Sequence, residues 1–469
     1  MPLRPSRYAV VGRTEFRHPS GRVVRPVLHT ATGRVFLADP ATAARLDTSQ
    51  PPVQAGPDGT IAEQVDPVRE QQLAAVGLLV DADRDEAAET LAASRAAARD
   101  HRVRNTIVMP SAYCNMGCGY CGQQHERRTV SGVHRAALAA RIDRAAHSGR
   151  YDALNVRWFG GEPLMAFAVL RDLSRSFVAS ADAAGVRYAA KLVTNGVLLD
   201  ARKLHTLHQQ CRVGLIEITL DGPAEAHDAS RPLKRGGGSF HRILATVAAA
   251  LADSELVDLR FIVRTNVGLH NAGLAEPFAA ELAAAGLAHD RVACYPAPVH
   301  SWGNDVSAVA VARREMAAAE LAWFRAYRRH GLRFSLLPSG PRQVVCAATT
   351  RHSEVVGADG RVYSCTEQPL VPGHTGQDLG SISTLDADAL RPVGAFDDWY
   401  DTVAAGETPC RGCAILPVCG GACPKLWREG APPCPPLRDN VRERLDLYAA
   451  DAGCVPLHEA HPAAGAQPD

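Results

Sequence analysis

The alternation of apolar and polar residues gives the first hundred residues a character of their own. Short apolar runs separated by turn residues predict strands at RYAVVG, RVVRPVLHT and GRVFLAD. ATAARLD and PVREQQLAAVG then predict helices, LLVDAD predicts a strand, and the Ala-rich DRDEAAETLAASRAAARD predicts a helix that leads out. This order predicts a small winged-helix-like domain over residues 1–100.

From residue 104 the pattern changes to a regular alternation of strands and helices. Six apolar runs predict strands: NTIVMP, NVRWFG, AAKLVTN, LIEITLD, LRFIVRTN and RVACYPA. Amphipathic stretches such as VHRAALAARIDRAAHSG lie between them. Repeated units of this kind are typical of parallel β/α folds. We therefore predict an α/β fold class, with a partial (β/α)6 TIM-type barrel over residues 101–335. In such barrels the functional residues follow the carboxyl ends of the strands.

The C-terminal region has few long apolar periods and is rich in Cys, Gly and Pro. A region with so small a core needs metal or cross-links to hold it together. We predict a Cys-rich domain over 336–445 that is held together by metal or cross-links, and a tail over 446–469. Lys and Arg number 51 against 50 Asp and Glu, which argues against a nucleic-acid partner. The chain has no long apolar run and no signal-peptide pattern, so we expect no membrane span and a cytoplasmic location.

The cysteines are distributed unevenly, and three of the thirteen lie directly after the first barrel strand. Cys114, Cys118 and Cys121 have the spacing C-x3-C-x2-C. In a reducing compartment, clustered cysteines indicate metal or redox chemistry rather than disulfides. Three thiolates can hold three irons of a [4Fe–4S] cluster and leave the fourth iron open to a small molecule. A zinc site completed by His125, or a set of unrelated cysteines, is the alternative.

The three-cysteine loop resembles the signature of the radical S-adenosylmethionine (SAM) superfamily. The resemblance implies that SAM chelates the open iron and that its reductive cleavage yields a 5′-deoxyadenosyl radical. Tyr120 matches the aromatic residue beside the adenine. Further expected SAM contacts follow the later strands, namely Gly160, Gly161 and Glu162 in FGGEP, Thr194 and Asn195 in VTNG, Thr219 and Asp221 in ITLDG, Arg231 in HDASR, and Arg264 and Asn266 in RTN. A simple turn for GGEP and a surface salt bridge for Arg231 remain the alternatives.

Seven further cysteines resemble those of the SPASM domain, which carries two auxiliary [4Fe–4S] clusters. The resemblance implies that residues 336–445 form a Cys-rich iron–sulfur domain. The resemblance assigns Cys346, Cys365 and Cys423 to the first auxiliary cluster. It assigns four to the second: Cys410, Cys413, Cys419 and Cys434. The first set lacks an evident fourth thiolate, so His352, a substrate thiolate or water could complete it. His352 as a surface histidine, and a zinc ribbon at the C-x2-C pair, are the competing interpretations.

The whole pattern resembles the maturases of ribosomally made peptides. It implies that residues 1–100 bind the leader of a precursor peptide by β-strand addition. A second expected partner is an external one-electron reductant such as flavodoxin or ferredoxin. The predicted function is hydrogen abstraction from that peptide and formation of an oxidative C–C, thioether or ether cross-link. The alternatives are a sulfatase-type maturase that forms formylglycine, oxidation of a small molecule or peptide-derived cofactor, and a non-enzymatic metal-binding protein.

The catalytic acid or base is not identified by the sequence. Cys294 and Tyr295 on the sixth strand, and His300 and Trp302 after it, are candidates by position alone. A thiol at Cys294 could donate hydrogen to a radical, whereas the simpler interpretation is a small packed side chain.

Overall fold

The computed structural model describes residues 2–48, 67–374 and 376–457. Part of the predicted N-terminal domain (49–66) and the end of the predicted tail (458–469) lie outside the described residues. The chain divides into two compact units. The first comprises Met1–Arg95, Leu336–Val345 and Tyr400–Asp469, and the second comprises Ala96–Ser335 and Cys346–Trp399. The region predicted as the iron–sulfur domain is therefore shared between both units.

The strands and helices predicted at the start of the chain are present. In order they are β1 (Leu3–Pro5), β2 (Ala9–Val11), β3 (Phe16–Arg17), β4 (Val23–His29), β5 (Arg34–Ala38), α1 (Pro40–Leu46), α2 (Pro67–Ala75), β6 (Leu79–Asp81) and α3 (Glu86–Arg99). Local capping explains α1, because the Asp39 carboxylate accepts a hydrogen bond from the Thr42 N–H at 3.0 Å and Pro40 occupies the first turn.

All six predicted barrel strands are also present, each followed by helix. The elements are β7 (Val103–Val108), α4 (Gly132–His147), β8 (Ala153–Trp158), α5 (Phe167–Ala183), β9 (Arg187–Thr194), α6 (Ala201–His205), β10 (Val213–Thr219), α7 (Ala224–Ser230), α8 (Phe240–Ala252), β11 (Arg260–Val267), α9 (Ala275–Ala284), β12 (Val292–Pro298) and α10 (Arg313–Arg329). The described C-terminal elements are β13 (Ser353–Val356), β14 (Val362–Tyr363), α11 (Trp399–Ala404), α12 (Leu416–Cys419), α13 (Pro424–Arg428), α14 (Leu437–Asp451) and β15 (Val455–Pro456).

The second unit is built on one eight-stranded sheet with the order β12-β11-β10-β9-β8-β7-β13-β14. Strands β7 to β12 are parallel to their neighbours, which confirms the predicted α/β class and the partial barrel. The sequence did not predict that β13 continues this sheet. It pairs in parallel with β7, and β14 returns antiparallel to it.

The two faces of this sheet differ. The Trp158 ring on β8 stacks on Phe177 of α5, with ring centroids 6.1 Å apart, so this face carries the helix. Successive strand residues point to opposite sides. Arg157 therefore points away from α5. We call the face that carries Arg157 and its neighbours in β7–β12 the inner face.

A buried ion cluster joins β13 to the barrel. Glu354 on β13 lies 2.6 Å from the Arg104 guanidinium on β7 and 2.9 Å from the Arg141 guanidinium on α4. All three side chains are buried. Burial alone would raise the pKa of Glu354, but the two guanidinium groups outweigh it and hold the pKa below its usual value. The carboxylate is thus charged and ties β13 to β7.

The first unit contains the small sheets of the chain. One sheet has the order β15-β3-β4-β2, with β5 also paired to β4, and a second consists of β1 and β6. Val10 and Leu28 of this unit pack against Val441 and Leu445 of α14. Helix α14 and β15 extend into the segment predicted as a tail. Of the helices that the structure describes, none has both the length and the apolar character needed to cross a membrane.

We expect Glu354→Ala to lower the free energy of unfolding by about 3–5 kcal/mol, because it leaves two buried guanidinium groups without a counter-charge. Urea denaturation followed by circular dichroism measures this. Asp152→Ala is the matched control, since it breaks the exposed Arg102–Asp152 pair in the same unit and should change little. Equal unfolding midpoints for the two variants would contradict the assigned role of Glu354.

Candidate active site

The three-cysteine loop follows β7 at the carboxyl edge of the sheet. Cys114 is buried, and Cys118 and Cys121 are half-buried. The Asn195 side-chain N–H points at the Cys114 sulfur from 3.7 Å. Burial raises the pKa of the Cys114 thiol to about 11 and also raises the pKa of Cys121. A bound cation that stabilises thiolates would offset this cost of deprotonation.

The donor set of this loop fits an iron–sulfur cluster. Among the described residues, no three His, Cys, Asp or Glu side chains lie close enough to share a single metal ion. A cubane makes a different demand, because each cysteine binds an iron of its own. Three thiols on one loop can supply that set.

Glu162 connects the loops that follow three neighbouring strands. Its carboxylate accepts hydrogen bonds from the Leu164 N–H (2.9 Å), the Thr194 hydroxyl (2.8 Å) and the Asn195 N–H (2.8 Å). Its own N–H donates to the Tyr113 carbonyl at 2.8 Å. Burial nevertheless raises the pKa of Glu162 above its ordinary value. The site therefore favours a neighbouring cation.

The two glycines before Glu162 are required by close backbone packing. Gly160 has φ +122°, a conformation that side chains rarely adopt. A methyl group at Gly161 would lie 2.7 Å from the Tyr113 carbonyl oxygen. FGGEP is thus a segment pressed against the cysteine loop.

Tyr120 lies at the centre of a second buried network. Its hydroxyl donates to the Asp221 carboxylate at 2.5 Å and accepts from the Asn266 side-chain N–H at 2.9 Å. The Arg231 guanidinium also donates to this hydroxyl. Asp221 accepts a further hydrogen bond from the Asn266 backbone N–H at 2.7 Å. The network joins the cysteine loop to the ends of β10 and β11.

Arg231 is not a surface residue. It is buried, and its guanidinium lies 3.6 Å from the Asp221 carboxylate. Its Nε has no hydrogen-bond partner among the described residues. A buried guanidinium with an unused N–H can donate a hydrogen bond to the carboxylate of a ligand. Thr219 ends β10 two residues before Asp221 and is half-buried.

His227, which the sequence analysis did not single out, orients Asp221. Its Nδ1 accepts a hydrogen bond from the Asp221 N–H at 3.1 Å, and its Nε2 lies 3.1 Å from the Ser239 hydroxyl. Burial lowers the pKa of His227 to about 4, so the ring is neutral. The sequence signal that could have identified His227 is its position in HDASR, four residues before Arg231.

A cavity of about 680 Å³ opens beside Tyr120. Gly117 and Gly119 of the cysteine loop, and one side of α7, line it together with His270, Leu274 and Val309. Asn304, another residue that the sequence analysis missed, donates to the Tyr120 carbonyl at 3.2 Å and holds the loop from the other side. The cavity is large enough for a small-molecule ligand.

The segment around Cys365 is attached to the same loop. The Gln124 N–H, three residues after Cys121, donates to the Leu370 carbonyl at 2.7 Å. Leu370 has φ +66°, an uncommon conformation for a residue with a side chain. The Glu367 N–H points at the Cys365 sulfur from 3.5 Å. The Gln124–Leu370 hydrogen bond therefore holds the Cys365 segment against the three-cysteine loop.

Four cysteines of the first unit line one small cavity. They are the residues predicted for the second auxiliary cluster: Cys410, Cys413, Cys419 and Cys434. The Arg438 guanidinium lies 3.0 Å from the Cys434 sulfur. Burial, assisted by the neighbouring thiols, raises the pKa of Cys419 to about 12. Four converging thiols fit an auxiliary cluster.

The remaining predicted ligands are the three cysteines assigned to the first auxiliary cluster and His352. Cys346 and Cys365 lie in the second unit and Cys423 in the first, so their common cluster stays a prediction. His352 is buried rather than at the surface. Its Nε2 contacts the Arg99 carbonyl at 2.8 Å and its Nδ1 contacts the Tyr151 hydroxyl at 3.1 Å. With both nitrogens engaged, it is a poor ligand.

The four candidate acid–base residues lie in different environments. Cys294 is buried, which raises its pKa to about 12 and favours a packed side chain. Tyr295 instead contacts Glu217 and Arg264 on the inner face. His300 and Trp302 contact each other edge to face.

Comparisons with known proteins agree with this geometry. The Radical SAM superfamily profile matches residues 108–254. A serine-type anaerobic sulfatase-maturating enzyme of Klebsiella aerogenes is 22% identical over 322 residues, which cover 66% of this chain and 77% of the relative.

Two solved structures are similar to this chain, and the first shows the same fold. The chain anSMEcpe, with bound S-adenosylmethionine and the Cp18Cys peptide, has a TM-score of 0.57 and 16% identity over 74% of this chain and 97% of its own. SuiB of Streptococcus suis, bound to precursor peptide SuiA, has a TM-score of 0.45 and 12% identity over 94% of this chain and 100% of its own. Residues 108–254 therefore match the Radical SAM superfamily, and the chain is similar to the anaerobic sulfatase-maturating enzymes.

Proposed function

We propose that this enzyme is a maturase of a ribosomally made peptide and that it installs an oxidative cross-link. The single observation that carries the proposal is the convergence of the cysteine loop, Glu162 and the Asp221–Arg231 pair at one edge of the parallel sheet. When bound, the cluster and SAM supply a 5′-deoxyadenosyl radical for hydrogen abstraction.

The residues at this edge have distinct roles in holding SAM. Glu162 pairs with the SAM amine, which accounts for a buried carboxylate that favours a cation. Arg231, oriented by Asp221 and Tyr120, pairs with the SAM carboxylate through its unused N–H. Gly160 and Gly161 allow the backbone to approach the ligand. The apolar cavity beside Tyr120 has room for the adenine.

The C-terminal cysteines support an oxidative reaction. A cross-link removes two hydrogens from the peptide, of which the radical takes one as an atom. The other must leave as a proton and an electron. Cys410, Cys413, Cys419 and Cys434 would hold an auxiliary cluster, which would supply an electron acceptor.

The N-terminal unit supports a peptide substrate. Its small sheets and helices follow the order expected of a winged-helix-like leader-binding domain, and sheet edges bind extended peptides through main-chain hydrogen bonds. A maturase that forms formylglycine remains the second candidate, because the Klebsiella relative is a sulfatase-maturating enzyme.

We expect Glu162→Gln to weaken SAM binding by at least about tenfold, because it removes the carboxylate that pairs with the amine. Equilibrium dialysis with anaerobically reconstituted enzyme measures the dissociation constant. Glu315→Gln, at an exposed position in α10, is the control and should bind SAM normally. Unchanged affinity in Glu162→Gln would remove Glu162 from the site.

Reconstituted enzyme should contain about twelve irons if three cubanes are present. Cys118→Ala should lose about four of them and all SAM cleavage, whereas Cys413→Ala should lose about four and keep cleavage without product. Iron analysis and assay of 5′-deoxyadenosine check this, with circular dichroism to verify folding. Stoichiometric zinc with little iron would refute the cluster assignment.

Co-expression with short reading frames beside the gene tests the peptide reaction. We expect a precursor to lose about 2 Da per cross-link, with tandem fragments missing between the joined residues, because two hydrogens leave as one bond forms. Cys118→Ala is the inactive control.

Serine oxidation to formylglycine gives the same mass change, so a hydrazide probe must accompany the mass measurement. Labelling of the product identifies an aldehyde and favours formylglycine. Turnover of a leaderless small molecule instead of any peptide would overturn the proposed function.

A further inference from the structure

The inner face of the barrel carries an excess of positive charge. Among all residues of β7 to β12, Glu217 is the sole acidic side chain. The basic side chains are five besides the paired Arg104: Arg157, Arg187, Lys191, Arg260 and Arg264. A core-facing strand has no structural need for such a row, because charges are costly to bury.

Much of this charge has no carboxylate at ion-pair distance in the part of the chain that the structure describes. The Glu217 carboxylate is occupied by Lys191 at 2.6 Å and by the Tyr295 hydroxyl at 3.2 Å. Arg264 donates to the Asn266 side-chain oxygen at 2.9 Å and lies over the Tyr295 ring. Within the described chain, neither Arg157 nor Arg264 has a carboxylate at ion-pair distance.

Arg157 and Lys191 are direct neighbours across the sheet. They are paired in register on β8 and β9, and the Arg157 side chain is exposed. Like charges opposite each other destabilise a sheet. Glu217 already pairs with Lys191, so the exposed Arg157 guanidinium is the member of this pair that a further anion would stabilise.

The charged residues of the inner face precede the residues of the candidate active site by a few positions on the same strands. Glu217 precedes Thr219 by two residues, Arg264 precedes Asn266 by two, and Arg157 precedes Gly160 by three. Three residues of strand span about 10 Å. Lys191 precedes Thr194 by three residues, so a group held by Arg157 and Lys191 is about 10 Å along the strands from the residues assigned to SAM.

We propose that Arg157, with Lys191 beside it, binds a carboxylate of the substrate peptide on the inner face. This inference rests on the proposed function and narrows its substrate class. The carboxylate belongs either to an acidic side chain near the modified residue or to the peptide C terminus, and the same two cations serve either source.

Three acetylated pentapeptide probes test this with SAM-saturated holoenzyme at low salt: Ac-GAEAG-amide, Ac-GAQAG-amide and Ac-GAQAG with a free C terminus. Titration calorimetry should detect binding of a carboxylate-bearing probe and none of the neutral one. Arg157→Gln should weaken that binding at least about tenfold. Arg187→Gln, at the amino end of the same strand and four residues before Lys191, should leave that binding unchanged.

Binding of the Glu probe identifies an acidic side chain, and binding of the free-terminus probe alone identifies the C terminus. Equal binding of the neutral probe, equal loss in Arg187→Gln, or weakened SAM binding in place of weakened peptide binding would overturn the inference. Failure of every co-expressed peptide to change mass, with carboxylate binding intact, would sink the proposed reaction but not this site.

Discussion

A buried carboxylate must satisfy its hydrogen bonds inside the protein, and Glu162 does so with donors from two different loops. Its backbone holds a third loop, the one that carries the cysteines. The loops after β7, β8 and β9 therefore cannot move independently. The parallel sheet brings them to one edge, and Glu162 fixes their separation. The rest of the site is built outward from this junction.

The second network extends the junction to the other side of the barrel. Tyr120 links the cysteine loop to Asp221 and Asn266, and the neutral ring of His227 holds the Asp221 backbone. Arg231 completes the set with a charge that Asp221 only partly neutralises. The edge of the sheet thus offers a carboxylate at one end and a guanidinium at the other, which suits a zwitterionic ligand.

The sequence predicted the parts of the fold that depend on local pattern. Strand-end motifs could be assigned to one site because parallel strands bring their carboxyl ends together, and the cysteine spacing is itself local. Contacts between distant segments could not be read in this way. SEVV of β13 is too short to predict a pairing with β7, and nothing near His352 indicates that Tyr151 and Arg99 occupy its nitrogens. The charged inner face was missed because the strands were identified by their apolar runs, and the basic residues between the apolar ones were not considered.

The pairing of β7 with β13 has a consequence for the spacing of two cysteine segments. Cys114 follows β7 by six residues and Cys365 follows β14 by two, and β13 lies between these two strands in a single sheet. A flexible linker would let the separation of the two segments vary widely. The sheet, the Glu354 ion cluster and the Gln124–Leu370 hydrogen bond instead hold the segments at one separation. Redox groups bound to these segments would exchange electrons over a fixed distance.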